Sequence, residues 1–176
     1  MILYHGTNLD IQSIDMALCR PYKDFGRGFY TTELLEQAQK MSKRVAKIYG
    51  GTPFVNIYEI SDDLLESKEL NIRNFGKIPS KGWALFVMNN RNKYFTDFKS
   101  KDCNFDCKYD IVSGPIADDD MTVLFHQYQN NMISLDTLIN GMTYRETTSQ
   151  YSFHTEKAIK FLKKVGVYHD EAGAAR

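Results

Sequence analysis

The chain has 176 residues, with 22 basic and 22 acidic side chains and a formal net charge of zero. That length suits one domain with its own hydrophobic core, and the balanced charge excludes an overall field that would draw in nucleic acid or a membrane, leaving open only a local basic groove. Apolar runs such as GWALFVM at 82–88 are too short to cross a bilayer, and MILYHGT lacks the features of a secretory leader, so a cytoplasmic protein is expected.

Three cysteines, Cys19, Cys103 and Cys107, supply no disulfide framework. The four histidines, His5, His126, His154 and His169, are scattered, with no spacing that would complete a zinc site. Reduced thiols and no bound metal are the expectation.

In chain order, ILYH reads as a strand turned away by Gly6 and Thr7, and residues 8–24 as a turn or short helix before Pro21. GFYTT, rich in aromatic and β-branched residues, reads as a second strand. Thr32 is placed to cap a helix whose apolar face is Leu34, Leu35, Ala38, Met41, Val45 and Ile48, stopped by Gly50 and Gly51. FVNIYEI at 54–60 is a strand, Ser80 caps a helix through KGWALFVMNNR, and residues 92–107 read as a loop. YDIVSG at 109–114 is a strand ended by Pro115, and ADDD opens a helix over MTVLFHQYQ. Ser134 caps LDTLIN, which Gly141 closes; QYSFHT at 150–155 is a strand; Thr155 caps EKAIKFLKK, stopped by Gly166. With no regular βαβ alternation, the class is α+β.

Two stretches bear on chemistry. In LYHGT, an imidazole at a strand end precedes a glycine that lets the backbone approach a ligand; the same pattern also suits a histidine satisfied within the protein. In FGRGFYTT, Gly26 and Gly28 allow a tight turn, Arg27 lies between them, and Tyr30 offers a flat ring either for stacking or for the core. No third glycine and no Gly-Lys-Ser/Thr follow, which excludes the dinucleotide fingerprint and the P-loop. The aspartates Asp118 and Asp119 could serve a site or cap a helix, and Glu146 and Glu156 are weaker acidic candidates.

Strand-His-Gly-Thr, then Gly-x-Gly-Phe-Tyr leading into a helix, then VNIYEI, together resemble the ADP-ribosyltransferase superfamily in its diphtheria-toxin and poly(ADP-ribose) polymerase-like branch, with its His–Tyr–Glu triad. The order including YDIVSGPIADDD and QYSFHTEKA is similar to a small bacterial family related to that fold, over roughly residues 2 to 165. The resemblance implies a split pair of small sheets around an NAD cleft with flanking helices, in one domain over 1–168 followed by a flexible tail at 169–176.

It further implies NAD as co-substrate, no metal, and transfer of ADP-ribose to a macromolecular acceptor, protein or nucleic acid. His5 would bond the adenosine ribose and the Gly6 backbone would hold the nicotinamide amide. Tyr30 would stack on the nicotinamide ring, and Thr7, Arg27 and Gly28 complete the cofactor-binding set. The third triad position falls on Gln150, with Asp118 or Asp119 as a substitute carboxylate; a glutamine bonds a hydroxyl but supplies no charge to a developing cation. Ala38 and Met41 fall where relatives carry a serine and a second tyrosine. Small bacterial members act as toxins or defence effectors, which implies a neutralising protein partner. The alternatives are a non-catalytic NAD or ADP-ribose binding module and an interaction protein on the same fold.

Overall fold

Seven strands and five helices follow one another among the described residues, 1–143 and 148–169 of a computed structural model. They are β1 (Ile2–Thr7), β2 (Phe29–Thr32), α1 (Leu35–Tyr49), β3 (Phe54–Glu59), β4 (Ile72–Asn74), α2 (Lys81–Arg91), β5 (Ile111–Pro115), α3 (Asp119–Gln129), α4 (Leu135–Thr143), β6 (Ser149–Phe153), α5 (Glu156–Ile159) and β7 (Lys163–His169). The strands form one sheet in the order β4-β5-β6-β2-β1-β3-β7, with β4 and β5 parallel and the other pairs antiparallel. The class is mixed α+β.

Where two small sheets were expected, the structure has a single sheet with a weak seam. β1 and β2 share one registered pair, Tyr4 with Thr32. Continuing that register would set Gly6 opposite Tyr30, and this pair does not form. β1 is instead matched along its whole length to β3, from Ile2 with Glu59 to Thr7 with Phe54. β2 is matched to β6, from Phe29 with Phe153 to Thr32 with Gln150.

Alternation along the strands divides the core between the two faces of the sheet. Phe25, Trp83, Phe86, Val87, Val112, Met121, Phe125, Leu138 and Met142 pack between the sheet and α2, α3 and α4. Leu3, Phe29, Tyr58, Leu64, Leu70, Ile111, Tyr151, Phe153 and Ala158 form the core of the opposite face.

α1 lies on β1 through the small residues of its predicted apolar face, with most of the large ones left outside the contact. Ala38 and Ser42 are buried, while Leu34, Leu35, Met41 and Ile48 are exposed. The cause is close approach: a Cβ on Gly6 would stand 1.9 Å from the Ala38 carbonyl oxygen. Only small side chains fit so tight a contact, and the larger ones are turned to the flanks. The helix starts at Leu35 rather than beside Thr32, whose Oγ1 accepts from the Leu34 amide at 3.2 Å. Gly141 lies inside α4 rather than closing it.

The C-terminal helix is shorter than its sequence suggests. α5 ends at Ile159, and Lys163–His169 instead forms β7, pairing with the otherwise open edge of β3. Val165, Val167 and Tyr168 are strand-forming residues, and without them the backbone groups on the edge of β3 away from β1 would lack partners. The domain therefore includes His169, whose ring stacks on Phe54 at 4.9 Å; residues 170–176 of the expected tail lie outside the described residues. Among the described residues no helix is long and apolar enough to cross a membrane.

Candidate functional site

The seam between β1 and β2 is where the two sequence motifs meet. His5 lies on β1 just past the last registered pair, with Nδ1 2.7 Å from the Tyr30 carbonyl oxygen. A carbonyl accepts only, so Nδ1 carries the proton and donates, which leaves Nε2 as an acceptor. The imidazole thus replaces the missing backbone bond at the parting strands. It stacks on Phe29 at 4.2 Å, and burial pushes its pKa down against the opposing pull of the Tyr30 bond. A neutral ring follows.

Tyr30 belongs to the other face of the sheet, with Phe25 stacked at 6.4 Å and the His154 ring edge-on at 6.3 Å. Its hydroxyl accepts from the Phe25 amide at 2.9 Å and donates to the Gly26 carbonyl at 2.7 Å. The phenol is therefore committed to holding the turn before β2. Burial raises its pKa well above the usual range, with the Asp24 charge adding to the effect, so it stays a donor.

The glycines of FGRGFY serve internal contacts. Gly26 has φ of +92°, a left-handed conformation that favours glycine. A Cβ on Gly28 would stand 2.6 Å from Nδ1 of His154. That histidine is buried, with Nδ1 2.7 Å from the Arg27 carbonyl and Nε2 2.8 Å from the Ser152 hydroxyl. Arg27 itself is exposed, and its guanidinium donates to the carbonyls of Cys19 and Ala17 at 3.1 and 3.0 Å, tying this turn to the 3-10 turn at Met16–Leu18.

Gln150 lies on the same face as Tyr30, since Thr32 is its registered partner and Tyr30 pairs with Ser152. It is buried, and its Nε2 donates to Oδ2 of Asp24 at 2.7 Å and to the Pro115 carbonyl at 3.2 Å. Both neighbours are acceptors, which fixes the nitrogen on that side and turns Oε1 away. Asp24 is the hub. Its Oδ1 accepts from Nε and Nη2 of Arg91 at 3.0 and 2.8 Å, and its Oδ2 also accepts from the Ala117 amide at 3.3 Å. Arg91 further donates to Thr122 Oγ1 and the Ala117 carbonyl.

Sequence reasoning missed this acid. The signal was a charged residue set against FGRGFY, together with an arginine in line with the buried Trp83, Ala84, Val87 and Met88 stripe of α2. A cation on a buried stripe needs a buried anion.

The other candidates stand apart. Asp118 is the N-cap of α3, accepting from the Met121 amide at 2.8 Å, and Asp119 is exposed in the first turn. They lie at the start of α3, one and two residues past Ala117, whose amide shares Oδ2 of Asp24 with Gln150; the carboxylate bonded to Gln150 is that of Asp24. Glu156 is exposed on α5, and Glu146 lies outside the described residues. Thr7 is half-buried, with its hydroxyl 3.5 Å from the Asn8 side chain. The cysteines are free, and among the described residues no three His, Cys, Asp or Glu side chains are grouped to hold a metal.

The seam thus carries an imidazole acceptor on one face of the sheet and, on the other, an aromatic ring locked to the preceding turn and an amide oriented by a buried acid. The chain belongs to the family described as "Protein of unknown function (DUF3990)", whose model matches residues 1–164. No curated protein and no solved structure matches the chain.

Proposed function

We propose that the protein is an NAD-dependent mono-ADP-ribosyltransferase working on a macromolecular acceptor in the cytoplasm, and that a separate protein partner restrains it. The reaction breaks the nicotinamide–ribose bond, releases neutral nicotinamide and forms a bond from the ribose to an acceptor oxygen or nitrogen, whose proton is lost to solvent. The observation that carries this reading is the seam, where His5 bridges to Tyr30 across strands that part immediately beyond Tyr4 and Thr32. Nε2 of His5 and Oε1 of Gln150 are both acceptors, which suits ribose hydroxyl groups as donors.

A second reading, a non-catalytic NAD or ADP-ribose binding module, is favoured by the neutrality of Gln150, which gives no charge to an oxocarbenium-like centre. Nicotinamide release from NAD by the purified protein, with Tyr30→Ala and Gln150→Ala alongside, separates the two. Release that is lost in both variants supports the enzyme. A thermal shift with NAD but no release supports the module, since ligand at about 100 times its Kd stabilises by about 2.7 kcal/mol. Neither release nor shift, even with lysate supplying acceptors, removes the NAD reading.

A further inference from the structure

Away from the seam, Tyr22, Lys93, Phe95, Phe98, Phe105 and Asp106 enclose an open cavity of about 360 Å³. Phe105 is its centre, edge-on to Tyr22 at 6.1 Å and to Phe98 at 5.4 Å, and near-parallel to Phe95 at 6.3 Å. Tyr22 and Phe98 are about half exposed, at 47% and 52%, so apolar ring surface stays in contact with water.

The cavity is held by an unusual backbone. Tyr22 has φ of +60°, and Cys107, next to Asp106, has φ of +52°. Such conformations cost about 1–3 kcal/mol each in a residue other than glycine and cluster at ligand sites. The walls are also stapled together: Tyr22 is two residues before Asp24, Lys93 is two residues after Arg91, and those two side chains are ion-paired at 2.8 Å.

We propose that this cavity takes an unstacked base of single-stranded nucleic acid. Several ring faces and edges around one slot suit a planar ring, and stacking on aromatic side chains is the general means of holding single strands. The polar lining chooses the kind of ring. Lys93 only donates and Asp106 only accepts, which matches a base edge that carries both donors and acceptors; an indole offers one donor and a phenyl ring none. Charge points the same way. On residues 21–23 and 92–108 the exposed charges are Lys23, Lys93, Lys99 and Lys101 against Asp97 and Asp106, an excess of cations beside the slot on a chain of zero net charge. The site stands independently of NAD chemistry at Gln150, although Asp24 joins the two.

The test is fluorescence anisotropy with labelled DNA and RNA homopolymers of about twelve nucleotides, against a duplex of equal length, at about 50 mM salt. Single strands are expected to bind and the duplex to bind more weakly. Phe98→Ala should cost about tenfold or more in affinity. Tyr22→Gly removes a ring while relieving its backbone strain, so it should lose affinity with no loss of thermal stability. No binding of any oligomer overturns the proposal. So does binding that both variants leave unchanged, which would be charge acting elsewhere. Capture of a tryptophan-bearing peptide in place of the oligomers would assign the cavity to a protein partner and overturn it too.

Discussion

Gln150 donates to Oδ2 of Asp24 at 2.7 Å while Arg91 holds Oδ1 of the same carboxylate. This relationship explains why position 150 carries an amide. A glutamate there would set two carboxylates against each other in a buried site and would forfeit the donors that Asp24 and the Pro115 carbonyl now accept. Gln150→Glu should therefore destabilise the fold at neutral pH by about 2–4 kcal/mol and recover in acid, as the pair takes up a shared proton. Combined with Asp24→Asn, the exchange restores one donor facing one acid, and more than half of the lost stability should return. Urea unfolding of the two single variants and the double variant measures the coupling. Additive losses would show that the two residues act separately.

Tyr30 has a ring and a hydroxyl with different duties. Tyr30→Phe keeps the ring but leaves the Phe25 amide and Gly26 carbonyl without partners, so it should cost about 1–3 kcal/mol in thermal or urea unfolding. Under the NAD reading its nicotinamide release stays near that of the parent, because stacking needs only the ring, whereas Tyr30→Ala abolishes release. Equal loss of release in both variants would assign the chemistry to the hydroxyl.

Gly6→Ala tests the contact between α1 and the seam. The added methyl would meet the Ala38 carbonyl at 1.9 Å and the Ser42 amide nitrogen at 2.8 Å, so helix or strand must move, at about 3 kcal/mol. Trimming Ala38 to glycine should not rescue the variant, since the clash is with backbone. Gly50→Ala is the comparison: its φ is +79° with nothing within 4 Å, and it should cost only about 1 kcal/mol. Unfolding midpoints of the three proteins rank them.

Acid should weaken the fold through His154. Burial lowers its pKa to about 4 from 6.5, against the raising effects of the Arg27 carbonyl and Asp110. Because the folded value is the lower one, the unfolded chain binds the proton first. Stability is complete above about pH 6.5, falls as the pH drops, and levels off below about pH 4, with about 3 kcal/mol lost over that span. His5, also lowered by burial, acts in the same direction. His154→Gln should flatten the profile between those limits, and an unchanged slope would place the proton uptake elsewhere.

Much of the fold was readable where one physical signal dominates. The caps at Ser80, Asp118 and Thr155 each accept the amide expected of them, from Trp83, Met121 and Ala158. β7 escaped because EKAIKFLKK has helical spacing, while the pull of an unpaired β3 edge is a tertiary effect. The exposure of Leu34, Leu35, Met41 and Ile48 on α1 escaped for a related reason: the distance set by Gly6 outweighs the size of the apolar side chains. At the site, His5 and Tyr30 were legible from glycines and strand ends. Asp24 was not, because its partners come from α2, the β5–α3 turn and β6, far away in the sequence.

The sheet order has a consequence for synthesis. β2 finds its long partner only when β6 appears about 120 residues later, and β1 shares a single bridge with β2. A nascent chain that stops short of β6 therefore pairs β1 with β3 but leaves β2, with Tyr30, joined to them by one bridge. If the protein attacks a component of its own cell, it does no harm until β6 has been made, and products terminated before β6 are inert.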